Sequence, residues 1–159
     1  MEFDDFKTRL QTAFTRAVVA KFGCADAEPI PSDDDIEASF RGPRADILHV
    51  VHEGEPVGGA VVSLNEDGTR GSLGFFFLDE SSQGKGLGYA AWRAIEKRYS
   101  VVRLWETATS YFEKRNIHFY INKCGFHIVE FFHPGHPDPH GPKPVDEEQD
   151  YMFRFEKVV

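Results

Sequence analysis

A mixed α/β fold, with a largely antiparallel sheet covered by helices, is the class this sequence predicts. Three observations carry it. The chain opens on an apolar stripe at helical spacing. A run of short β-prone segments separated by turn residues follows. Later, strand and helix patterns alternate, so crossover helices join an otherwise meandering sheet.

The opening stripe is Phe3, Phe6, Leu10, Phe14, Val18 and Phe22, spaced by three and four residues, which is one face of a helix. Gly23 suits the position just past its end. A second helix is expected from Ser32, where Pro31-Ser32-Asp33-Asp34-Asp35 supplies an N-cap and negative charge at the positive helix end. The meander comes next: Ala45 to His52, a turn at Glu53-Gly54-Glu55-Pro56, Val57 to Leu64, a turn at Asn65 to Gly68, and Ser72 to Leu78. Leu73-Gly74-Phe75-Phe76-Phe77-Leu78 is apolar on both faces and reads as a central strand covered on both sides. A helix from Gly86 to Tyr99 presents Leu87, Ala91 and Ile95 on one face. A strand from Val101 to Thr107 follows, then a helix opening at Ser110, with Ser110 and Glu113 as a capping box, and ending at Gly125. Phe126 to Phe132 and Tyr151 to Lys157 read as a closing hairpin around a loop rich in Pro, Gly and His. With 159 residues and no repeat, the expectation is one domain over 1–159.

Composition narrows the function. A net charge of −8, without a Lys/Arg cluster, excludes a nucleic-acid partner and leaves room for a cationic acceptor. Two cysteines, Cys24 and Cys124, make neither a disulfide framework nor a metal pair. The start MEFDDFKTRL lacks the basic and apolar regions of a signal peptide, and no apolar run reaches membrane-span length, so a cytoplasmic protein off the membrane is expected. His49 and His52 face opposite sides of a strand, and the histidines of His133 to His140 lack ligand spacing, so no metal is expected.

The chemistry concentrates between Leu78 and Trp92, where an apolar strand runs through Gln83-Gly84-Lys85-Gly86-Leu87-Gly88 into a helix. Unpaired N–H groups at a helix start, with glycines that admit close approach, form a cradle for phosphate. A P-loop needs Gly-Lys-Ser/Thr, and here Gly86 follows Lys85. A dinucleotide fingerprint needs Gly-x-Gly-x-x-Gly in an early βαβ unit, and here the spacing is Gly-x-Gly-x-Gly after a meander.

The segment resembles the acetyl-CoA signature of the GNAT superfamily, Gln/Arg-x-x-Gly-x-Gly/Ala. Asn116 to Phe126 resembles that family's closing motif (an Asn, then Phe-Tyr, then Gly-Phe), and Tyr151 to Lys157 resembles its last strand. The resemblance implies a GNAT-like mixed, mostly antiparallel sheet flanked by helices, here preceded by a Phe-rich helix. It implies acetyl-CoA as cofactor, with pyrophosphate on Gln83, Gly84, Lys85, Gly86, Leu87, Gly88 and Tyr89. The pantetheine arm would lie along Phe76, Phe77 and Leu78, near Asn116. The core would be 45–159, with 1–42 as the acceptor-side wall. It further implies transfer to a small-molecule or peptide amine by direct attack in a ternary complex, with Tyr120 as acid. Glu106, among Leu104, Trp105 and Thr107, is the expected base. Asp79 and Glu80 are expected in turn or capping roles, and the loop from His133 to His140 over the acceptor cleft.

Two spacings depart from the family. Four residues separate Tyr120 from Gly125, where the family commonly has three, which puts Ile121 in the register of the usual Tyr. The Asn lies four residues before Tyr120 rather than about seven. A non-catalytic acyl-CoA-binding protein on the same fold, or a nucleotide-binding module using the same glycines, stays open as an alternative. Oligomeric state, a homodimer included, stays open too.

Overall fold

The computed structural model describes residues 2–22, 32–42, 44–139 and 151–159. The expectations at Gly23, Cys24, Pro31 and His140 lie outside the described residues. Helices α1 (Glu2–Phe22) and α2 (Asp33–Phe40) precede strands β1 (Ala45–His52), β2 (Glu55–Leu64) and β3 (Arg70–Leu78). A 3₁₀ turn (Glu80–Ser82) leads into α3 (Leu87–Arg98), then β4 (Leu104–Ser110). Helix α4 (Lys114–His118) continues as a π-helical turn (Phe119–Lys123), and β5 (His127–Phe132) and β6 (Met152–Val158) close the chain. No described helix is long and apolar enough to cross a membrane.

The six strands order as β1-β2-β3-β4-β6-β5, antiparallel throughout except β3 against β4. β3 is central, as its two apolar faces require. On one face Trp92 and Ile95 of α3 pack with Leu73, Trp105, Phe126 and Phe155. Trp92 meets Trp105 edge-on at 5.2 Å between ring centroids. On the other face Phe6 and Leu10 of α1 and Ile36 of α2 cover Val61 and Phe77. Helix α1 sits close because β2 carries no side chain at Gly59, where a Cβ would fall 2.2 Å from the Phe6 ring.

Local rules account for most boundaries. Ser32 caps α2 by accepting from the Asp35 N–H at 3.2 Å. Asp33 of the same acidic turn accepts from Gln11 at 2.6 Å and pairs with Lys7 at 3.5 Å, tying α2 to α1. β4 begins and ends three residues later than the sequence suggested. Val102 closes the preceding turn onto the Tyr99 carbonyl, and the strand starts only where Arg103 and Leu104 donate to Thr69. The Ser110–Glu113 capping box does not form. Ser110 is still a strand residue opposite Met152, and Glu113 makes no side-chain cap bond.

Candidate active site

Two features of β3 create the site. First, its ladder with β4 lasts only from Arg70 to Ser72, opposite Leu104 to Glu106, after which the strands part. The Thr107 hydroxyl donates to the Leu73 carbonyl at 2.8 Å at the fork, so the parting leaves that buried acceptor satisfied. Second, the ladder with β2 slips between Gly59 and Val61, and Phe75 adopts φ 47°, a left-handed conformation unusual for a bulky residue. This bulge re-aims the strand end. Phe75 falls on the α1 face against Phe14, and Phe76 falls on the opposite face against Phe119. At the strand's end the Asp79 N–H bonds the Val57 carbonyl at 2.8 Å, so by strand alternation the Leu78 N–H faces the gap.

The gap opens into a cleft of about 1050 Å³ lined by Phe76, Phe77, Leu78, Gln83 and residues of α1, α3 and α4. Gly84 and Gly86 hold φ 76° and 75°, and a Cβ on either would meet nothing within 4 Å. The turn is therefore left-handed and open. The first helical N–H to find a backbone acceptor is that of Ala90, on Gly86 at 3.2 Å. Six preceding N–H groups, from Gly84 to Tyr89, have no backbone acceptor among the described residues. Gly88 serves packing instead, since a Cβ there would touch Phe119 at 3.4 Å and Leu78 at 3.6 Å. Gln83 braces the turn, donating to the Leu78 carbonyl at 3.2 Å and accepting from Arg115 at 3.2 Å.

The closing-motif residues lie on the opposite wall. Asn116 donates to the Thr109 hydroxyl at 3.2 Å. Tyr120 is buried among Phe119, Phe126 and Phe155 yet borders the cleft. Burial pushes its pKa well above the usual tyrosine value, and the Thr107 hydroxyl partly offsets that. The extra residue between Tyr120 and Gly125 is taken up by the π-helical turn. There the Cys124 N–H bonds the Phe119 carbonyl, five residues back, at 3.0 Å. Tyr120 thus reaches the inner wall despite its displaced register.

Of the expected site residues, Phe76, Phe77, Leu78, Gln83, Gly84, Gly86, Leu87, Gly88, Tyr89, Asn116 and Tyr120 share this cleft. Lys85 lies in the cradle turn, exposed, and does not line the cleft. Glu106 is likewise absent from the lining: its carboxylate accepts from Arg70 at 3.1 Å and Arg154 at 3.0 Å. Arg154 also holds Glu130 at 2.9 Å, and Glu130 bonds His136 at 2.7 Å, which gives that loop histidine an ion-pair partner.

Sequence reasoning missed four contributors, Arg9, Arg16, Arg115 and Glu113. Arg9 grips Asp79 and donates to the Pro56 carbonyl at 2.7 Å, while Arg16 pairs with Glu80 at 2.8 Å. Asp79 and Glu80 therefore latch α1 beside the cradle rather than merely shaping a turn. Arg115 braces Gln83, and Glu113 borders the cleft. Two arginines about two helical turns apart on α1, Arg9 and Arg16, were the available signal for the latch. Glu113 had none beyond its capping-box position.

The comparisons agree with this fold. A Bacillus subtilis (strain 168) protein of uncharacterised function, YrkN, is 44% identical over 99% of this chain and 89% of its own length. A Bacillus subtilis acetyltransferase solved in complex with CoA superposes with a TM-score of 0.68 at 21% identity, covering 98% of this chain and 92% of that one. An IAA acetyltransferase from Bacillus cereus superposes at 0.67 with 19% identity, over 96% and 91% of the two chains. The Acetyltransferase (GNAT) family matches residues 8–126, from α1 through the cradle to the Gly125-Phe126 pair, and this chain belongs to that family.

Proposed function

We propose that this chain is an N-acetyltransferase that moves an acetyl group from acetyl-CoA to a primary amine by direct attack in a ternary complex. One observation carries the reading: Gly84, Gly86, Leu87, Gly88 and Tyr89, whose N–H groups have no backbone acceptor among the described residues, and the unpaired end of β3 share one cleft. The pyrophosphate rests on those amides, where the α3 dipole favours anions. The pantetheine arm lies along Phe76 to Leu78 as an added strand, with Asn116 on the facing wall. The Leu78 N–H is aimed where the thioester oxygen gains charge in the tetrahedral intermediate. The amine attacks the thioester carbon, the carbon–sulfur bond breaks, and Tyr120 donates to the leaving sulfur.

The raised pKa of Tyr120 is compatible with that donation, because burial acts on both partners. Desolvation penalises the thiolate as it penalises the phenolate, so the relevant quantity is the difference between them. The same core pushes the Cys124 thiol up to about 12. For the base, Glu106 and Glu113 are the two carboxylates to compare, and the second is argued below. The domain is read as one unit over 1–159, with 1–42 walling the acceptor side and 45–159 holding the cofactor. An acidic chain of net charge −8 suits a cationic small-molecule or peptide amine in the cytoplasm.

Calorimetric titration with acetyl-CoA, with ATP and NAD as controls, tests the cradle. One-site binding of acetyl-CoA alone is expected, followed by thiol release when a panel of primary amines is added. Binding without turnover on any amine favours a non-catalytic acyl-CoA-binding protein. No binding of acetyl-CoA overturns the reading.

A further inference from the structure

Glu113 is a carboxylate without a structural employment. It precedes α4 but makes no cap bond there, and among the described residues no hydrogen bond or ion pair holds its side chain. It nevertheless borders the cleft and is half-buried. Glu113, just ahead of α4, Asn116 in α4 and Tyr120 in the π-helical turn all line the cleft. Two of the three are held by neighbours, Asn116 by Thr109 and Tyr120 by its aromatic contacts. Glu80 on the same cleft is already paired with Arg16, and Glu106 with Arg70 and Arg154.

An unpaired, partly desolvated carboxylate costs stability, so its position calls for a reason other than folding. The charged and titratable groups that line the cleft with it are Lys114 and Arg115 on its own segment, Tyr120 and Lys123 in the π-helical turn, Tyr89 of α3, Arg16 of α1 and Glu80. Burial raises its pKa above the ordinary carboxylate value, and Arg115 works against that rise. A carboxylate made more basic by burial is suited to accept a proton from an ammonium group.

Resting on the acetyltransferase reading above, we propose that Glu113 is the catalytic base that deprotonates the acceptor amine. The carboxylate takes one proton from R–NH₃⁺, directly or through one water, and leaves R–NH₂. The nitrogen lone pair forms the bond to the thioester carbon. The carbon–sulfur bond breaks, and the sulfur takes its proton from Tyr120. The amide sheds its second nitrogen proton to restore the phenol, and Glu113 returns its own proton to solvent. The sum is R–NH₃⁺ plus acetyl-CoA giving R–NHCOCH₃, CoA-SH and H⁺.

Glu113→Gln tests this with two readouts. The first needs no acceptor. A raised folded-state pKa contributes stability below the unfolded pKa and loses it as pH rises through the folded value. The Gln variant is therefore expected to melt higher than the parent at pH 7, with the difference gone by about pH 4. The second readout is thiol release from acetyl-CoA on the parent's best amine from a panel of primary amines. The expected result is a kcat about 10²–10⁴-fold lower, an unchanged KM for acetyl-CoA, and loss of the acid limb of the pH profile. Glu106→Gln should retain that limb. A parent that acetylates no amine sinks the acetyltransferase reading itself. A parent that turns over, with a Glu113→Gln variant keeping kcat and the acid limb, overturns only this proposal.

Discussion

Gly86→Ala separates the cradle from the fold, because the molecule contains its own control. Gly86 and Gly68 have φ 75° and 77°, and a Cβ at either meets nothing within 4 Å. Gly68 closes the β2–β3 hairpin, far in sequence from the cradle, by donating to the Asn65 carbonyl at 3.1 Å. Both substitutions force an L-residue into the left-handed region, at a cost of about 1–2 kcal/mol. Neither adds a steric clash in the free protein. They differ in the purpose of the empty space. Under the proposed function, a methyl group on Gly86 enters the open volume at the start of α3, where a phosphate oxygen would sit. Losing one charge-assisted hydrogen bond costs about 1.5–3 kcal/mol, or about ten- to a hundredfold in Kd. Urea unfolding reads the first effect and calorimetric titration with CoA the second. Both variants are expected to lose similar stability, and only Gly86→Ala to lose CoA affinity. Equal CoA affinity in Gly86→Ala and Gly68→Ala, at equal stability loss, refutes the assignment of this turn as the phosphate site.

Two further predictions concern the packing around the cleft. Gly59→Ala places a methyl group 2.2 Å from the Phe6 ring, so it should cost about 1–3 kcal/mol in urea unfolding, and Phe6→Leu should recover part of the loss in the double variant. With its pKa pushed up to about 12 by burial, Cys124 has about a thousandfold less thiolate at pH 8 than an ordinary cysteine. In a Cys24→Ser background, its reaction with a disulfide reagent should be slow in buffer and fast in urea, and rapid reaction of the folded protein refutes the burial argument.

The parts legible in the sequence were those written in local chemistry. Phe6 and Leu10 bury because helical spacing puts them on one face, and Ser32 caps because its hydroxyl reaches the Asp35 N–H from the preceding turn. The open glycine turn was legible for the same reason, since two left-handed glycines and a helix start lie within five residues. Contacts that depend on how elements meet were not. The Arg9–Asp79 and Arg16–Glu80 latches join residues more than sixty positions apart, and no local pattern pairs them. Ser110 and Glu113 illustrate the opposite failure: a valid capping signal lost to tertiary pairing, because β6 extends β4 through Ser110 and the Tyr111 N–H goes on to the Tyr151 carbonyl. The consequence for the site is substantial, since losing the cap frees the Glu113 side chain for the cleft.

The displaced Tyr120 shows how sequence register and spatial register come apart. Counting back from Gly125 puts Ile121 in the usual tyrosine position, but a count assumes one hydrogen-bond pattern throughout the helix. From Phe119 to Lys123 the pattern widens to five residues, which adds one residue without adding a turn. Tyr120 then occupies the buried wall, while Ile121 packs at the edge of the same core. If the extra residue is an insertion absorbed by the wide turn, removing an exposed member should restore an α-helix and leave Tyr120 in place. Asn122 is that member, exposed at the cleft, with its side chain bonded among the described residues to the His118 ring at 2.8 Å. Deleting it leaves three residues between Tyr120 and Gly125. The shortened chain should fold with an unfolding free energy, measured in urea, within about 1–2 kcal/mol of the parent, the range for strain at a single irregular site. It should also keep its affinity for CoA. Failure to fold, or a Tyr120 newly accessible to solvent by NMR exchange, shows instead that the π-turn shapes the cleft wall in its own right.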